Sequence, residues 1–136
     1  MATEEIMASQ PITQGRSAGT LGSDGVVRIR VGDEGHATGD LFDEEDSRDC
    51  RVLATKLAGS ISVGLVLCDM TRVTRTTRAA RQLEPPATAR GMALVVSTPA
   101  SRFVGAAYLA LTRPAVPTRV FLSEDDGAQW LLSLVD

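Results

Sequence analysis

The sequence is poor in the residues that carry most catalysis. It has one histidine, His36, and two isolated cysteines, Cys50 and Cys68. That excludes a histidine-rich metal site and any Cys-x-x-Cys spacing, so no metal or cofactor is expected. His36 lies in a turn-rich stretch with no Ser or Cys signature nearby. Gly32 and Gly35 form no phosphate loop. Asp43, Glu44 and Asp46 could ligate a hard cation, but an acidic first helical turn is their commoner use. A non-enzymatic role is therefore expected, with catalysis the weakest of the readings.

Other shortages narrow the class further. No apolar run reaches about 18 residues, so no membrane span is expected. The start, Met1-Ala2-Thr3-Glu4-Glu5, lacks a signal peptide's basic and apolar segments, and a cytoplasmic protein with reduced thiols is the default expectation. Lysine is nearly absent: Lys56 is the one lysine among 14 basic residues. Residues 1–50 hold eleven acids against four arginines, whereas residues 51–136 hold ten basic residues against six acids. That basic half is too weakly charged to mark a nucleic-acid binder.

What is present is a 136-residue chain, 43% hydrophobic and 23% charged, which suits a single soluble domain. Residues 1–24 are rich in Ser, Thr, Gly and Ala with few large apolar groups. They read as a disordered tail that contributes little to folding. The domain is then expected over residues 25–136. Val27, Ile29 and Val31 alternate as one face of a strand, and 36–38 suggest a short second strand. A helix is expected from about Asp40 to Ala58, with Cys50, Leu53, Ala54 and Leu57 as its apolar stripe. Val63 to Cys68 is a continuous apolar run, the pattern of a central strand covered on both faces.

A short helix is expected from Thr76 or Thr77 to about Leu83, stopped by Glu84-Pro85-Pro86. Met92–Val96 reads as a strand. It runs into Ser97-Thr98-Pro99, a helix start with proline at the first helical position. The strand Arg119–Leu122 and a helix capped by Ser123 follow. Strand and helix alternate at the spacing of βαβ units. The fold class is thus α/β, with a small mixed, mostly parallel sheet.

Three surface features stand out. Arg78 and Arg81 share a face of the short helix, either as a docking patch for an acidic partner or as an ordinary solvated surface. Thr76 and Thr77 sit at that helix start, as caps or as phosphorylation sites beside arginines. The helix from Pro99 has almost no polar face. Ala100, Phe103, Val104, Ala107 and Leu111 form its expected core side, and Ala106, Tyr108, Leu109 and Ala110 the other. Such a helix makes a second apolar contact or is covered by its own domain.

The segment Leu67-Cys68-Asp69-Met70-Thr71-Arg72-Val73 resembles the strand-Asp-x-x-x-Val segment of STAS domains, the SpoIIAA-like anti-sigma factor antagonists. Thr77-Arg78-Ala79-Ala80-Arg81, Val95-Val96-Ser97-Thr98-Pro99-Ala100-Ser101-Arg102 and the stretch from Val120 to Leu131 are similar to a divergent STAS-like group of bacterial proteins. The resemblance covers about residues 25–136. It implies a single STAS-like domain and a regulatory protein–protein interaction without catalysis, with an anti-sigma-type regulator or a second copy of the chain as partner. The antagonists carry a phosphorylated Ser in an Asp-Ser-Ser-Gly-like stretch. Counted from Asp69, Thr77 falls at that stretch's Asp, and its serines fall at Arg78 and Ala79. Thr76 and Thr77 are the nearest substitutes. The interaction surface expected is therefore Thr76, Thr77, Arg78, Arg81, Phe103, Tyr108 and Leu109. STAS-like domains also resemble the lipid-transfer CRAL-TRIO fold, which leaves a carrier of a small apolar ligand as the alternative.

Overall fold

The computed structural model describes residues 10–32, 41–59, 64–73, 75–78, 89–112 and 115–135; the side chains of Arg75, Val104, Tyr108 and 110–112 are outside that description. The strand expected at 36–38, residues 79–83 of the helix expected to end near Leu83, and Arg81 with them, lie outside the described residues.

One sheet organises the described chain. Strands β1 (Ile12–Gln14), β2 (Ser17–Leu21) and β3 (Val26–Val31) form an antiparallel meander at one side. From β3 the sheet turns parallel through β5 (Leu65–Asp69), β7 (Gly91–Val95) and β8 (Thr118–Phe121), in the order β1-β2-β3-β5-β7-β8. The short strands β4 (Leu41–Phe42) and β6 (Arg75–Thr76) pair with each other in parallel, apart from this sheet. Three helices are described: α1 (Glu44–Ala58), α2 (Pro99–Thr112) and α3 (Glu124–Ser133). None is long and apolar enough to cross a membrane. The α/β class with a mixed, mostly parallel sheet is as the periodicity predicts.

The sheet's two faces carry separate cores. Val27, Ile29, Val31, Val66 and Cys68 pack with Cys50, Leu53, Ala54 and Leu57 of α1. Val26, Leu65, Leu67, Ala93 and Val95 pack with Ala128 and Leu131 of α3. Strand β5 therefore contributes to both, which is why its sequence shows no alternation.

The helix ends are fixed by their caps. Asp43 caps α1 by accepting from the Asp46 N–H, and the Asp46 carboxylate accepts from the Asp43 N–H in return. The helix thus starts later than its acidic approach suggests, because residues 41–42 are used as β4. Ser123 caps α3 through the Asp126 N–H.

The N-terminal boundary differs from expectation. Residues 12–21 are two strands of the main sheet, not tail, and β2 pairs with β3 over five residues. Small residues here are a packing requirement. Ser17 is 1% exposed, and a Cβ on Gly19 would stand 3.0 Å from a Leu57 methyl carbon, so α1 lies almost on the backbone of β2. The β1–β2 turn needs Gly15, whose φ is +60° and whose missing Cβ leaves room for the Asp49 carboxylate.

Candidate functional site

The chain leaves β5 through a tightly bonded turn. The Asp69 carboxylate accepts from the Thr71 N–H at 3.0 Å and from its hydroxyl at 2.6 Å. This is a side-chain turn of the kind Asp favours. The Met70 N–H donates to Val95 O, and the Arg72 guanidinium donates to Gly32 O at 2.7 Å. The ends of β3, β5 and β7 are thereby tied together. They launch the segment that carries Thr76, Thr77 and Arg78.

That segment docks beside the N-terminus of α1. Strand β6 lies along β4, with Leu41 opposite Arg75 and Phe42 opposite Thr76. The Thr77 N–H then donates to Phe42 O at 3.0 Å. Thr76 and Thr77 are half-buried, and Arg78 is exposed. Thr76 is thus a strand residue rather than a helix start, because β4 offers it a backbone ladder.

On its other side β4 meets the β1–β2 turn. The Arg16 guanidinium donates from Nε to Asp46 Oδ1 at 2.8 Å and from Nη2 to Asp46 Oδ2 at 2.7 Å. Its Nη2 also donates to Leu41 O at 2.5 Å. Burial alone would raise the Asp46 pKa, but hydrogen bonds from Arg16 and the Asp43 backbone outweigh it and hold the carboxyl below its ordinary value. Nothing local in the sequence marks this pair, since the partners are 30 residues apart.

The second predicted surface is α2. Thr98 caps it by accepting from the Ser101 N–H at 3.0 Å. Its orientation reverses the expectation. Phe103 is 76% exposed, and Ala100 and Ala107 face solvent with it. Gly105 and Leu109 are the half-buried positions, and Gly105 approaches Val120 of β8. Glycine at the contact lets the helix lie close to the edge strand, which turns the larger Phe103 outward. Leu109 is therefore partly covered by its own domain, and the Tyr108 side chain lies outside the described ones.

An open cleft of about 410 Å³ lies on the α3 face of the sheet, lined by Thr20, Arg28, Arg30, Asp69 and Glu124 among others. Its charges are largely matched. Arg28 forms two bonds to Asp24, at 2.9 and 2.8 Å, and Arg30 lies 3.8 Å from Asp69. Pro11, Ala18 and Ile29 line it beside these charges, and it opens to solvent rather than enclosing a chamber.

Both thiols are buried and unpaired. Burial pushes the Cys50 pKa up to about 11 and that of Cys68 further up, so neither is a poised nucleophile. No group of three or more His, Cys, Asp or Glu side chains that could hold a metal ion occurs among the described residues.

These groups set a pH window. Hydrogen bonds from Arg28 lower the Asp24 pKa, and Asp46 is lowered as described. Their stabilisation is complete above the unfolded carboxylate value and is lost as pH falls through the lower folded values. The thiols act oppositely. Unfolded Cys50 ionises from about pH 9, but folded Cys50 only near 11, so its stabilisation is lost between the two, on the order of 3 kcal/mol. The melting temperature should be flat from about pH 5 to 8.5 and fall on both sides. Cys68→Ala should soften the alkaline fall, which thermal melts across pH will measure.

Residues 54–135 match the model of a family described as a domain of unknown function, DUF7793. The chain belongs to that family. The match begins within α1 and runs to the end of the described chain, so β1 to β4 lie outside it. No curated protein matches the chain. Among solved structures, this DUF7793 chain is similar to an uncharacterized protein of the DUF3478 family from Shewanella loihica PV-4, described as having a SpoIIAA-like fold. The two share 10% identity at a TM-score of 0.47, over 96% of this chain and 98% of the other.

Proposed function

We propose that the chain is a non-catalytic regulatory module that works by binding another protein, in the manner its resemblance to STAS-domain antagonists implies. The observation that carries this reading is the outward face of α2. Phe103 is 76% exposed with Ala100 and Ala107 beside it, an apolar surface with Arg102 as the one charge along the helix. A sealed apolar chamber beside Phe103 would have favoured the carrier alternative. An outward-facing phenylalanine instead suits a surface that another protein covers.

The Thr76–Arg78 segment supplies the second contact. Arg78 is exposed at the end of a segment held against β4, so it offers a charge to an acidic partner, an anti-sigma-type regulator being the class the resemblance implies. Thr76 and Thr77 immediately precede that charge in the chain, and modification there would change the same contact. A second copy of the chain is another occupant of the α2 face. The proposed setting is the cytoplasm.

Phe103→Asp and Arg78→Glu test this reading. Both positions are exposed, so each variant should melt within about 2 °C of wild type. Phe103→Asp should lower retention of the co-purifying partner at least tenfold, and Arg78→Glu should lower it less and in a salt-dependent way. Retention unchanged in both variants contradicts the proposal.

A further inference from the structure

We infer that Arg16, in the N-terminal hairpin, is the positioning residue for the Thr76–Arg78 segment, which rests on the reading of that segment as a contact surface. Strands β4 and β6 have two residues each, and an isolated ladder that short does not hold its own shape. Whatever fixes β4 therefore helps place β6.

Three contacts fix β4. The Phe42 side chain is 8% exposed and belongs to the α1 core. Asp43, the next residue, is locked into the reciprocal cap with Asp46. Arg16 engages both ends of this unit, because its guanidinium donates to both Asp46 oxygens and to the Leu41 carbonyl. The side chains of Arg16 and Asp46 are 19% and 10% exposed, so the pair is largely shielded from water. The planar guanidinium presents paired N–H groups to both carboxylate oxygens and a further N–H to the neighbouring carbonyl, a rigid geometry that a lysine ammonium does not reproduce.

The route is continuous. The hairpin turn at Gly15-Arg16 holds Asp46 and Leu41, the 41–42 backbone pairs with 75–76, and Phe42 O receives the Thr77 N–H. Arg78 follows directly. The matched family region starts at residue 54, so Arg16 sits in the part of the chain that lies outside it. The hairpin thus does more than complete the sheet. It sets where the contact segment stands, and any event that displaces Arg16 would loosen that segment without touching it.

Amide hydrogen exchange of the full chain, followed by NMR, tests this without a partner. In Arg16→Ala, Thr77 N–H exchange should rise at least tenfold more than that of Leu94 in the central ladder. Arg16→Lys keeps the charge but loses the fork, and should give a smaller rise at Thr77 with little change at Leu94. It also covers the case in which Arg16→Ala does not fold. Equal acceleration at Thr77 and Leu94 in the variants, or an unprotected Thr77 in wild type, would overturn the inference. Loss of local protection together with unchanged partner retention in Arg78→Glu and Phe103→Asp would leave Arg16 in place and remove the contact reading instead.

Discussion

A chain that begins at Gly22 should fail to fold at 25 °C. From composition alone, removal of residues 1–24 is expected to cost little, because the segment has few large apolar groups. The sheet says otherwise. Leu21 is 2% exposed, and its burial alone is worth about 2 kcal/mol. Removing β2 also bares the flank of β3 and the underside of α1, where Ile29, Leu53 and Leu57 are buried beneath it. Each of these contributes a similar amount, and the fork from Arg16 to Asp46 goes with the hairpin. The sum is comparable to the roughly 5–15 kcal/mol that stabilises a whole domain. Circular dichroism should show no cooperative melt for the truncated chain. A sharp transition within a few degrees of full length would mean that the hairpin is dispensable.

Leu131→Ala should be the most damaging single substitution on the α3 side, at about 2–5 kcal/mol. Leu131 is 0% exposed and packs between α3 and the parallel strands with Leu65, Leu67 and Ala93. The site cannot easily collapse to fill the void. Gly127 already brings α3 so close to the sheet that a Cβ there would stand 3.3 Å from both Ala93 Cβ and a Leu67 methyl carbon. The gap left by a removed leucine is therefore kept open by backbone contact elsewhere on the same helix. Urea unfolding should move to a much lower midpoint with an unchanged slope. A loss below about 1 kcal/mol would show that α3 is loosely held.

The features legible in the sequence were those with local physical signals. Leu65 to Cys68 reads as a central strand because both of its faces are covered. The α1 stripe reads correctly because the helix has one wet side. Ser123 and Thr98 are visible as caps because a hydroxyl before a helix has one common use.

The rest was hidden for specific reasons. The hairpin is rich in small residues that imitate a disordered composition, while its Ser17 and Gly19 serve as the floor for α1. Strands of two residues have no period to detect, so β4 and β6 could not be seen. The Arg16–Asp46 pair joins distant positions, and nothing local marks either partner. The face of α2 was inverted because a helix rich in Ala, Gly and Leu on all sides has no polar edge to orient it. Gly105 against Val120 decides the matter, and that contact exists only in three dimensions.

The most direct test of the account is the identity of what lies against Phe103 in living cells. A photo-crosslinking residue in place of Phe103, with a control at the exposed Thr55 of α1, would report it by the mass of the adduct. A protein-sized adduct is expected from position 103 and none from position 55. An adduct of twice the chain mass would make the partner a second copy. A small apolar molecule bound to position 103, or no adduct there at all, would contradict the account.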